Sequence, residues 1–153
     1  MADAFRLTTN ESIARLVIDQ PDSRANVLST TIWNEFGTML DGLVPRSDLR
    51  GLAIESAKPG IFIAGADLKE LAGGDSASIR TLIELGLRVL GTLEALPFPT
   101  VAAIDGAALG GGLEVALACD FRLCGTSPRV QLGLPEIKLG LLPGWGGSQR
   151  LTR

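Results

Sequence analysis

The chain has 153 residues, a net charge of −3 at pH 7, 46% hydrophobic and 20% charged residues. That balance fits one globular domain with its own core and gives no electrostatic case for a nucleic-acid partner. There is no histidine and no tyrosine, which excludes Ser-His-Asp and Cys-His catalysis and every histidine-ligated metal site, so acid-base work falls to carboxylates, lysine, cysteine or backbone groups.

Met1–Leu7 carries Asp3 and lacks an apolar signal core, and no apolar run reaches the ~18 residues needed to span a bilayer. The chain therefore reads as cytoplasmic, with no membrane partner. Residues 13–19 predict a strand, ended by Pro21-Asp22-Ser23, and residues 30–43 a helix, with Ile32, Trp33, Phe36, Met39, Leu40 and Leu43 at helical spacing. Residues 50–56 predict a buried strand, broken by Lys58-Pro59-Gly60, with a short apolar run at 61–64. Gly73-Gly74-Asp75-Ser76 signals a loop and the start of a helix that runs to Pro97-Phe98-Pro99. A strand at 100–104, a turn at Asp105-Gly106, a short apolar helix at 113–118 and a strand-like stretch at 119–124 follow. From Leu132 onward the chain is dense in Gly and Pro.

This alternation of strands and helices indicates an α/β fold. Cys119 and Cys124 make neither a disulfide framework nor a zinc site, and their apolar neighbourhood predicts two buried, inert thiols. Ser148-Gln149-Arg150-Leu151 reads as the opening of a helix too short to bury a face. The expectation is that residues 1–153 are a fragment, the N-terminal part of a single domain whose C-terminal half is missing.

Three segments are candidates for chemistry. In Ile63-Ala64-Gly65-Ala66-Asp67-Leu68, small residues flank a glycine directly after an apolar strand. Either another group approaches this backbone closely, or it is a plain strand-to-helix turn with Asp67 as N-cap. Gly110-Gly111-Gly112 opens an apolar helix, offering either unpaired N–H groups for negative charge or room for close helix packing. Glu114 is a lone acid in that helix and Glu136 follows Pro135; each is a surface acid or one half of a catalytic pair with diverging environments. If all share one pocket, the N–H groups of Ala66 and Gly111 would hold a thioester oxygen as charge builds on it. The carboxylates would then move a proton at the α-carbon and direct water at the β-carbon. Composition and spacing leave this as one candidate among several.

The ordered runs Ala64-Gly65-Ala66-Asp67-Leu68, Ile104-Asp105-Gly106 through Gly110-Gly111-Gly112-Leu113-Glu114, Cys119-Asp120, Pro135-Glu136-Ile137-Lys138-Leu139-Gly140 and Pro143-Gly144-Trp145-Gly146-Gly147-Ser148-Gln149-Arg150-Leu151 resemble the enoyl-CoA hydratase/isomerase (crotonase) superfamily, from about residue 11 onward. The loop at 21–29 and the run at 132–149 also look like the hydratase end of multifunctional fatty-acid oxidation alpha subunits. The resemblance implies a crotonase-like spiral of ββα units, incomplete at the C-terminus, that binds an acyl-CoA thioester, with coenzyme A as part of the substrate, no separate cofactor and no metal. It implies an oxyanion hole from the amides of Ala66 and Gly111, and CoA contacts from Ala64, Ala66, Asp67 and Leu68 and from the early loop Arg24, Ala25 and Asn26. It implies that Gly144 lies beside the catalytic water. With both Glu114 and Glu136 present it implies syn hydration of a 2-trans-enoyl-CoA, Glu136 giving the proton to the α-carbon and Glu114 activating water. Trp145 stands where a smaller or different aromatic residue is common, and is expected to narrow the acyl pocket. A full-length member is expected to be a homotrimer or dimer of trimers. Double-bond isomerisation on the same hole, or a non-catalytic module, are the alternatives.

Overall fold

The computed structural model describes residues 3–152; Met1, Ala2 and Arg153 lie outside them, so the Met1–Leu7 reading falls partly beyond the described residues. Strand β1 (Phe5–Asn10) and β2 (Ile13–Ile18) form an antiparallel hairpin in the register Phe5↔Ile18 to Asn10↔Ile13. Its two loop residues, Glu11 and Ser12, both have positive φ (45° and 66°), the twist that a two-residue hairpin loop needs. The sequence hides this hairpin. Its loop lacks glycine, and Thr8, Thr9 and Asn10 are all exposed, so β1 has no alternation along its second half.

Helix α1 (Thr30–Leu43) starts where the Ser29 side chain accepts a hydrogen bond from the Ile32 amide, and it buries Ile32, Trp33, Phe36, Leu40 and Leu43. A strand-strand-helix unit then recurs three times. Strands β3 (Gly51–Ser56) and β4 (Gly60–Ile63) precede α2 (Leu68–Gly73) and α3 (Ser76–Glu94). Strands β5 (Thr100–Ile104) and β6 (Gly106–Leu109) precede α4 (Gly111–Ala118). Strands β7 (Phe121–Cys124) and β8 (Gln131–Gly133) precede a 3-10 turn at Glu136–Leu139 and α5 (Gly147–Arg150). The first strand of each pair joins one sheet, β1-β2-β3-β5-β7, and the second joins another, β4-β6-β8. Every pairing after the hairpin is parallel. This is the expected spiral of ββα units.

One continuous apolar core lies between sheets and helices, centred on Leu16, Trp33, Phe36, Ile54, Phe62 and Leu90. The Phe5 and Phe36 rings stack at 5.2 Å. Among the described residues no helix is long and apolar enough to cross a membrane. Strand β6 begins at Gly106, inside the turn expected at Asp105-Gly106, and Gly-Ala-Ala-Leu has no β-branched residue to signal it. Its place is set instead by close approach: a Cβ on Gly106 would collide with the backbone of Gly60 and Ile61.

The two cysteines part ways. Cys119 is buried, and burial pushes its thiol up to about 12. Cys124 corrects the expectation: it is exposed, because β7 is the edge strand of the larger sheet and every one of its residues is exposed.

Candidate active site

Three turns, one from each of the last three ββα units, meet at a single cavity of about 630 Å³. The first follows β4. Gly65 adopts φ 113°, and a Cβ there would lie 3.2 Å from the Leu109 carbonyl oxygen at the end of β6. The second follows β6, where Gly110 adopts φ 52° and ψ −123°. Both conformations belong to glycine, and they set the two turns back to back. The Leu28 amide donates to the Gly65 carbonyl (2.8 Å), the Asp67 amide to the Leu28 carbonyl (3.0 Å), and the Gly110 amide to the Gly133 carbonyl (2.8 Å). The next amides along, those of Ala66 and Gly111, have no acceptor among the hydrogen bonds of the described residues. Both residues line the cavity. Gly111 also opens α4, which has no side-chain cap, so the partial positive charge of the helix start faces the same space.

The structural reading of these glycine-rich turns does not exclude the functional one. The Asp67 carboxylate accepts from the Lys69 and Glu70 amides and caps α2, while Ala64, Asp67 and Leu68 still line the cavity. A Cβ on Gly112 would strike the Ile63 carbonyl, and one on Gly111 would sit 2.5 Å from the Trp145 ring. The glycines therefore permit close packing and leave an amide free as well.

Glu114 is 1% exposed, which removes the surface-acid reading for it. Its Oε1 accepts two hydrogen bonds, from the Trp145 and Gly147 amides, each 2.8 Å. Burial raises its carboxyl above the ordinary range; the two amides pull it down again, the nearby Glu136 raises it and Arg150 lowers it. Glu136 begins the 3-10 turn, half-buried, with its carboxylate over Gly110: a Cβ there would lie 3.0 Å from Oε1. Its Oε2 is buried and has no hydrogen-bond partner among the described residues. Both acids line the cavity with the two unpaired amides.

Gly144 lines the cavity against Ile83. Trp145 is 4% exposed. Its ring lies in a slot where Gly86 of α3 and Gly111 of α4 leave no room for a Cβ, edge-on to Trp33 at 5.0 Å, and its Nε1 donates to the Leu82 carbonyl (3.4 Å). It thus forms a fixed wall of the cavity.

The early loop is placed differently. Arg24 is exposed and Ala25 half-buried, and neither they nor Asn26 line the cavity, whereas Gln20, Ser23 and Val27 do. The Asn26 side chain is buried and fully engaged. Its Nδ2 donates to the Ile18 and Phe62 carbonyls and to Ser56 Oγ, and its Oδ1 accepts from the Gln20 amide. Its carbonyl accepts from the Ala64 amide at 2.9 Å, so Asn26 ties this loop to the first site turn. Sequence reading missed Lys69 at the cavity wall, although it sits directly after Asp67-Leu68. It also missed the apolar side made by Leu71, Ile79, Leu139, Leu141 and Leu142.

Comparisons with known proteins agree with this architecture. A family model described as Enoyl-CoA hydratase/isomerase matches residues 8–153. The chain is 47% identical over 98% of its length to the fatty acid oxidation complex subunit alpha of Aliivibrio fischeri, and spans 22% of that protein. It superposes on an enoyl-CoA hydratase from Geobacillus kaustophilus with a TM-score of 0.94 at 30% identity, covering 100% of this chain and 57% of that one. An enoyl-CoA hydratase from Bacillus anthracis gives 0.91 at 35% identity, covering 98% of this chain and 57% of that one. By motif order, by the ββα spiral and by these matches, the chain belongs to the enoyl-CoA hydratase/isomerase family.

Proposed function

We propose that this chain carries the catalytic centre of an enoyl-CoA hydratase, which adds water syn across the double bond of a 2-trans-enoyl-CoA to give a 3-hydroxyacyl-CoA. The observation that carries the reading is the convergence of two acids, Glu114 and Glu136, and two unpaired amides, Ala66 and Gly111, on one cavity. The amides hold the thioester oxygen while negative charge develops there; one such donor is worth ~2.7–4 kcal/mol of barrier. Glu114 takes a proton from water as the oxygen bonds to the β-carbon. Its raised carboxyl makes it a stronger base near neutral pH than a solvated glutamate. Glu136 gives a proton to the α-carbon, and exchange with solvent restores the pair. In this reading the CoA portion lies against Ala64, Asp67, Leu68 and Lys69; that all four line the cavity supports it. The relatives named as fatty acid oxidation subunits support β-oxidation as the setting.

Glu114→Gln and Glu136→Gln are each expected to lower kcat for hydration of crotonyl-CoA by about 10²–10⁴-fold. Wild-type rates in both variants contradict the reading. A chain that conjugates a 3-enoyl-CoA but yields no hydrated product is an isomerase instead.

A further inference from the structure

The grip on Glu114 has a second layer. The two amides that hold its Oε1 belong to one short turn, Trp145–Gly147. The Arg150 guanidinium binds that same turn from behind, Nη1 donating to the Trp145 carbonyl at 2.5 Å. The guanidinium is itself anchored on α3: Nε and Nη2 donate to the two carboxylate oxygens of Glu94 at 2.8 and 2.9 Å. Two glycines make the arrangement possible. A Cβ on Gly146, which has φ 89°, would strike the Arg150 guanidinium. One on Gly147 would lie 3.0 Å from Glu114 Cγ.

We infer that Arg150 is a positioning residue for Glu114, fixing the Trp145–Gly147 turn between Glu94 of α3 and the carboxylate in α4. The inference rests on the hydration reading for its catalytic consequence. A bidentate fork supplies what a point charge cannot: two parallel bonds to one carboxylate, with a further N–H left for the carbonyl. Its charge also acts on Glu114. The other groups around that carboxylate are few. Glu136 faces it from the 3-10 turn. Strands β4 and β6 carry no charged residue. Arg122 of β7 binds the Ala116 and Cys119 carbonyls at the far end of α4, and α3 contributes Glu94 through Arg150.

The test measures hydration of crotonyl-CoA against pH for the full chain and for Arg150→Gln, Arg150→Lys and Glu94→Gln. A second arm follows the amide chemical shifts of Trp145 and Gly147 against pH, since both amides report the ionisation of Glu114 whether or not the chain turns over substrate. Arg150→Gln is expected to lower kcat by up to about 100-fold through misplacement of the base, with little change in KM. It should also move the acid limb of kcat/KM and the amide titration midpoints to higher pH. Arg150→Lys should restore the midpoints and only part of kcat. Glu94→Gln keeps the cation but frees it, so it should lower kcat less and leave the midpoints near wild type. Unchanged midpoints in Arg150→Gln overturn the inference, and so does an activity loss that only follows the loss of folded protein. Absent hydration by the wild type overturns the hydration reading alone; the amide arm then still decides the role of Arg150.

Discussion

Glu114 shows how one residue sets stability against use. Burial, reinforced by Glu136, raises its carboxyl above the ordinary 4.5, although the two amides and Arg150 oppose the shift. The folded chain therefore holds this proton more tightly than the unfolded chain does. The stability this group contributes is fully present below about pH 4.5 and is lost as pH rises through its raised value. Glu114→Gln keeps an oxygen for both amides and removes the charge. Relative to wild type, its thermal midpoint should be more favourable at pH 8 than at pH 4, measured by circular dichroism. An equal difference at both pH values would show that ionisation of Glu114 costs the fold nothing. The cysteines give a second single-residue check. Titration with a thiol reagent at pH 8 should modify the exposed Cys124 in the native chain, and Cys119, held near 12 by burial, only after unfolding. Rapid labelling of both would contradict the burial of Cys119.

The elements with long apolar faces were legible in the sequence, and the short ones were not. Helices α1 and α3 bury repeating residues and carry caps, Ser29 and Asp75, that mark their starts. Strands β1, β6 and β8 are polar, small or only three residues long, and neighbouring strands fix them in place. Helix α4 is the instructive case. Its composition is apolar all round, so periodicity does not say which way Glu114 points; packing decides it. The Trp145 ring against Gly111 and Gly86 holds α4, α3 and the Trp145–Gly147 turn in one register. Gly111→Ala should cost about 1–3 kcal/mol by overpacking. Trp145→Ala should cost about 3–5 kcal/mol by leaving a cavity. In the double variant the new methyl enters that cavity, so the two costs should fall short of additivity by about 0.5–3 kcal/mol in denaturant unfolding. Additive costs would mean that ring and glycine do not share one slot.

At the scale of the whole molecule, the site exists because three ββα units are stacked in parallel. Each contributes one turn: Gly65-Ala66 after β4, Gly110-Gly111 after β6, and Glu136 with the Trp145–Gly147 turn after β8. The sequence revealed the unusual glycines and the lone acids, since those residue types are costly where they stand. It could not reveal the cavity wall, because which faces of Lys69, Ile79 and Leu141 turn inward depends on how the three units meet. The same dependence separates Asn26 from the cavity: its residue type suits a ligand contact, yet its side chain is consumed inside the fold. The central claim, that these three turns together add water to a conjugated thioester, is tested most directly by supplying a 2-trans-enoyl-CoA in D2O and examining the product by NMR. The account predicts a 3-hydroxyacyl-CoA with one deuterium at the α-carbon, on the same face as the new hydroxyl. Deuterium on both faces, or recovery of unhydrated thioester, would contradict it.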